Sequence, residues 1–258
     1  MTRAGQGGRL AALDATRGVL ACVVVVHHVV RAFGSLAMAR WAHMAVLGFF
    51  LMSGYVLAYS YDGRPLVFMA RRVVRLWPLY AVCVCAGCAV QGLALNPTWL
   101  VWWPMPPFQE GAVFDPPAWS LFMEAWATLI FPVLFWVTLR GRIFGMALAG
   151  LSFALIYVEP RLFCVPFFAI GVAATGFAIN WPRRAPAMLL WLGKISYSLY
   201  LTHALVMIVA VRAFGSWGAI AVLPAVFGIA WLCWWAIERP SILLSRRVGA
   251  TKRVAAQA

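Results

Sequence analysis

Arg17 and His28 lie ten residues apart in a stretch that is otherwise almost wholly apolar. If that stretch is a helix, eleven steps of about 100° bring the two within some 20° of one face and about 16 Å apart along the axis. Arg17 then sits at the rim of a membrane-length helix and His28 near its middle. Ionisable groups inside a span are costly and default to function, and an imidazole there can take a proton from a hydroxyl as a general base. The neighbouring His27 faces elsewhere and reads as a polar tie between helices.

Other polar side chains recur at a similar depth. Trp119-Ser120 and Glu124 open a later apolar run, with Glu124 about 9 Å in from that run's boundary. A buried carboxylate needs a partner, and His28, counted from the other side, is the expected one. Ser196, Tyr200 and His203 follow at i, i+4 and i+7 as a polar stripe on a single helix face. His28, Glu124 and His203 are thus expected to converge on a reaction centre, with Ser53, Trp119, Ser120, Ser196 and Tyr200 as acceptor-binding or structural polar groups. Arg72 and Arg75 share a face at i, i+3 where another apolar run begins. That pair suits a phosphate-rich ligand by bidentate contacts and the helix dipole, and it equally suits anchoring at a membrane rim. Ser53-Gly54 permits close approach of a second backbone, or a substrate contact.

The elements that must position these groups are membrane spans. The chain is 64% apolar and 11% charged, with a mean hydropathy of +0.87, against roughly 25% charged residues in a soluble domain. Eight apolar segments are expected at 17–36, 42–60, 74–95, 118–139, 143–158, 161–180, 188–212 and 217–237, an all-α polytopic bundle within one domain over 1–258. With the N-terminus inside and alternating sides, only Arg31, Arg40, Arg161 and Arg212 of the 21 Lys and Arg residues fall outside. That asymmetry places both termini in the cytoplasm, with 240–258 as a basic tail. It also accounts for the net charge of +14 without nucleic acid, for which no basic stripe on a polar, aromatic-interleaved surface is present. The run before Ala37-Met38-Ala39 imitates a cleaved signal, yet its polar residues favour a retained helix. The loop 96–117, with Trp99, Trp102, Trp103, Glu110, Asp115 and many prolines, reads as an interfacial tryptophan belt or a lid. The six cysteines lie inside apolar runs, where they act as small hydrophobes. Cys85-Ala-Gly-Cys88 lacks the further ligands of a metal site, so no metal is expected.

The ordered motifs resemble the acyltransferase-3 family of membrane O-acyltransferases. They are Leu13-Asp14-x-x-Arg17-Gly18 with His28, Phe49-Phe50-x-x-Ser53-Gly54, and Arg71-Arg72-x-x-Arg75 with Pro78-Leu79-Tyr80. Then come Trp119-Ser120-Leu121-x-x-Glu124 with Phe131-Pro132, Gly193-Lys194-Ile195-Ser196-Tyr197-Ser198-x-Tyr200-Leu201-x-His203, and Glu238-Arg239-Pro240. The resemblance implies acyl transfer, commonly of acetyl from acetyl-CoA, to a hydroxyl of a surface or exported glycan, in a bacterial cytoplasmic membrane. Acyl-CoA is then a co-substrate and no cofactor is held. It makes Arg17, His28, Arg72 and Arg75 the functional core. Eight spans rather than about ten make this a short form, without the soluble hydrolase-like domain of some members. Two mechanisms are open for His28, general base and transient acyl carrier. A transporter of a glycan or lipid intermediate is the alternative from another class, since midplane polar residues also suit a transport path. Against it, no internal repeat is evident. A non-catalytic assembly subunit is a third reading.

Overall fold

The computed structural model describes residues 3–100, 116–158, 163–175 and 184–249. Every regular element among them is helical. In chain order they are α1 (Arg3–Ala32), α2 (Ala39–Ser60), α3 (Pro65–Gln91), α4 (Trp119–Leu139), α5 (Arg142–Val158), α6 (Val165–Ala174) and α7 (Ala187–Phe214). The last apolar segment is in pieces: α8 (Gly218–Ala221), α9 (Leu223–Cys233) and a π-helical turn, Trp234–Glu238, that runs into α10 (Arg239–Arg247). Among the described residues each of the eight expected segments contributes helix, the sixth only Val165–Ala174 of its 161–180. α1, α2, α3, α4 and α7 are long and apolar enough to cross a membrane, while α5 and α6 contribute shorter apolar stretches, Ile143–Ala154 and Val165–Ala174. The protein is a multi-pass helical membrane protein.

Local chemistry sets the helix ends. Pro65 at the start of α3 surrenders an N–H that has no helical partner anyway, and Gly92 closes α3 in a left-handed conformation at φ 68°. In the turn before α3, Asp62 accepts hydrogen bonds from Arg64 and Arg71. The Arg64 contact holds the Asp62 carboxyl below its ordinary range. The same two arginines reach the far end of the chain, Arg64 donating to the Gly249 carbonyl at 3.1 Å and Arg71 to that of Val248 at 3.0 Å. Residues 240–247 of the expected tail therefore form helix packed on α3, and 250–258, with Lys252 and Arg253, lie outside the described residues.

Without a hydrophobic driving force between helices in lipid, close packing decides which helices pair, and glycines decide it here. A Cβ added to Gly54 would collide with the Phe168 carbonyl, and one on Gly171 with that of Leu51, so α2 and α6 cross in backbone contact. Gly18 and Gly193 do the same for α1 and α7, against Leu192 and the Asp14 backbone. Gly54→Ala is expected to destabilise the bundle by about 1–3 kcal/mol. Gly228→Ala, where the added methyl meets nothing within 4 Å, is expected to change little. Thermal unfolding in detergent reads the difference, and equal midpoints would refute the tight crossing. Between α2, α3, α4 and α6 the core is aromatic: Tyr61 meets Phe68, Phe131 and Phe135 edge-on at 5.1–5.3 Å, and Phe168 closes on Phe131.

Of the 96–117 loop, Pro97–Leu100 and Pro116–Ala118 are short 3-10 turns. The first turn is tied to α3 by Tyr80 Oη donating to the Trp99 carbonyl at 2.6 Å and Trp77 Nε1 to that of Leu100 at 2.8 Å. Trp102, Trp103, Glu110 and Asp115 lie outside the described residues, as do Arg161 and Arg183.

Candidate functional site

Two polar clusters face one another across the bundle. The first is made by α1 and α7, held together at the Gly18–Gly193 contact. It brings His28 and His203 to a ring separation of 4.9 Å, edge to face at 63°, with His27 5.1 Å beyond His28. His203 is wholly buried. Its Nδ1 lies 2.9 Å from the Leu199 carbonyl one turn back, and since a carbonyl only accepts, Nδ1 carries the proton. In the neutral ring Nε2 is then a bare lone pair, buried and without a partner among the described residues. His28 keeps partial exposure. His27 is buried, with Nδ1 unpartnered.

One turn from His203, the Tyr200 hydroxyl lies 2.8 Å from Ser120 Oγ of α4. Ser120 also donates to the Pro117 carbonyl at 3.2 Å. The Tyr200 ring packs against Phe49 of α2 at 5.8 Å and stands 6.2 Å from His203. Ser196, in contrast, donates to the Gly193 carbonyl of its own helix at 2.8 Å and ties no second element to the centre. Trp119 stacks obliquely on Phe163 at 5.8 Å, capping the aromatic core.

The second cluster lies one turn further along α4. Glu124 accepts from Ser53 of α2 at 3.0 Å and forms an ion pair with Arg72 of α3. This corrects the expected Glu124–His28 pairing. Depth along a helix is one coordinate and rotation about it another, and α4 turns Glu124 toward α2 and α3. A guanidinium also makes the stronger, charge-assisted partner for a carboxylate than a neutral imidazole does. The Arg72 side chain is only 11% exposed, and that of Glu124 24%. Glu124 therefore orients Arg72, and His203 is the group beside His28.

Arg75 and Arg17 complete this cluster. Arg75 forms no ion pair among the described residues. Arg17, Arg72, Glu124 and Glu238 all surround it within electrostatic reach. Asp14 and Lys194 share this field through Arg17 and Arg75, so four cations face three carboxylates and leave the site positive by one charge, suited to an anionic ligand. Glu238, buried to 3% exposure, accepts from Ser198 of α7 at 2.6 Å. The sequence reading passed over both as site residues. A signal existed: Glu238 is one of seven acids in the chain and ends an apolar run. Its inward aim comes from the π-helical turn, a distortion frequent at functional sites.

A family model described as an acyltransferase domain, that of the acyltransferase-3 family, matches residues 10–161. The match includes Arg17, His28, Ser53, Arg72, Arg75, Ser120 and Glu124, and ends before α7. No curated protein and no solved structure matches the chain.

Proposed function

Because this chain belongs to the acyltransferase-3 family and is a multi-pass membrane acyltransferase, we propose that it moves an acyl group, acetyl first among them, from acyl-CoA to a hydroxyl of a glycan or glycolipid-type acceptor. The observation that carries this reading is the imidazole pair of the partly exposed His28 and the buried His203, together with a cluster of excess positive charge. The arginines enter from the rim where α3 begins, the rim that the charge asymmetry assigns to the cytoplasm, in what the family resemblance implies is a bacterial inner membrane. Arg75 and Arg17 receive the anionic, phosphate-bearing part of the donor, and Arg72 is held in place by Glu124 and Ser53. The pantetheine arm then runs along α1 toward His28.

At that depth His28 accepts the proton of the acceptor hydroxyl while its oxygen attacks the thioester carbonyl. The C–S bond breaks, and the imidazolium returns the proton to the departing thiolate, so CoA leaves as the free thiol. During this step the lone pair of His203 Nε2 can accept the second N–H of His28, the part a carboxylate plays in other base-plus-orienter arrangements. In the resting structure the rings meet edge to face, so this bond requires a small rotation of His28.

The test is CoA release from acetyl-CoA by the purified full chain, with and without glycan-bearing membrane extract, alongside direct measurement of acetyl-CoA binding. Acceptor-stimulated release with an alkali-labile acetyl product supports the reading. A folded chain that fails to bind acetyl-CoA would sink it and favour transport of a glycan or lipid intermediate.

A further inference from the structure

The outer face of α10 carries chemistry that acyl transfer does not use. Ser241 and Ser245, at i, i+4, are buried, and α10 packs on α3. The opposite face holds Arg239, Leu243 and Arg246 in one stripe and Pro240, Leu244 and Arg247 in the next, all exposed. Leucines half exposed, at 49% and 54%, thus lie between Arg239 at one end and Arg246 and Arg247 at the other. This inverts the pattern of a helix packed on a water-soluble core, where the apolar face turns inward. It matches a helix lying in the headgroup layer, leucines toward the acyl chains and guanidiniums toward phosphates.

Beside this face the π-helical turn leaves a shallow, open depression of about 400 Å³ on one helical stretch, lined by Trp235, Ala236, Arg239, Pro240 and Leu243. Its wall is apolar but for the Arg239 guanidinium, which stands 5.9 Å from the Trp234 ring. The adjacent carboxylate, Glu238, turns inward to Ser198. Among the described residues Arg239, Arg246 and Arg247 form no ion pair. An apolar depression beside a cation without an ion pair among the described residues, continuous with exposed leucines and the exposed Trp235, complements one kind of occupant: an amphiphile with an anionic phosphate head. We propose that the π-turn and α10 form a binding site for an anionic phospholipid, with Arg239 and Arg246 on the phosphate and a chain along Trp235 and Leu243. The site lies outside the polar clusters and does not depend on the reaction assigned to them. Because α10 packs on the helix that carries Arg72 and Arg75, an occupant would brace that helix.

The experiment offers the full chain, in mixed detergent micelles, equal amounts of phosphatidylglycerol and phosphatidylcholine, and measures the lipids retained by native mass spectrometry. The wild type is expected to retain phosphatidylglycerol in preference. Arg239→Gln is expected to cut that preference about fivefold, the effect of one basic residue at a membrane surface. Arg40→Gln removes the same charge from an exposed position at the start of α2 and is expected to leave it unchanged. No preference in the wild type, or equal losses in the two variants, would overturn the proposal. So would a dimer mass that Leu243→Glu converts to monomer, since the face would then belong to a second copy.

Discussion

His28→Ala is expected to lower the rate of acyl transfer by about 10²–10⁴, the usual contribution of a positioned general base, with acetyl-CoA affinity nearly unchanged. The side chain is partly exposed and sits beside His203 rather than in a tight packing layer, so its truncation should leave the fold intact. His203 supplies a second test. His203→Leu removes the bare Nε2 and is expected to reproduce part of the loss, chiefly in kcat. His203→Gln keeps an acceptor oxygen and is expected to lose less. Steady-state kinetics on variants with wild-type unfolding midpoints separates these outcomes. A folded His28→Ala protein with near-normal turnover would exclude the base role.

The second large effect falls on the ion pair. Truncating one member of a buried pair strands the other charge and typically costs about 3–5 kcal/mol. Glu124→Gln leaves Arg72 without its counter-charge inside the bundle. It is therefore expected to lower the unfolding midpoint sharply and to abolish transfer. The double variant Arg72→Met with Glu124→Gln removes both charges and is expected to regain much of the stability, because a buried ion pair and an apolar pair of similar volume are often near-equal. Activity should stay lost. If the double variant also recovered transfer, the pair would serve only to hold the bundle together.

The bundle was legible in the sequence because a membrane imposes a length as well as a polarity on each element. Among the described residues all eight apolar segments contribute helix, and even the short fifth is helical, from Arg142 to Val158. Arg72 was singled out as a group for an anionic donor or for anchoring at the rim and Glu124 as a buried carboxylate, but their pairing with each other was not foreseen. Counting residues from a boundary gives depth, and Glu124 and His28 do share a layer by that count. Which neighbours a side chain meets depends on the order of helices around the bundle, and one sequence does not encode that order in any local pattern. Glu238 was hidden for a related reason: regular helical periodicity does not describe a turn with π-helical hydrogen bonding. His203 was found because three polar residues at helical spacing on an apolar helix form a pattern that needs no knowledge of neighbours.

The glycine crossings carry a consequence for motion. Helices in backbone contact cannot slide past each other without their carbonyls colliding, so α1 with α7 and α2 with α6 behave as two rigid units. His28 and His203 ride on the first unit and Ser53 on the second, while Arg72 and Glu124 stand on α3 and α4. Any opening that admits a donor thioester must therefore come from shear between units rather than within them. The imidazole pair would travel as a fixed cassette, and its alignment with the arginines would change as the site opens and closes.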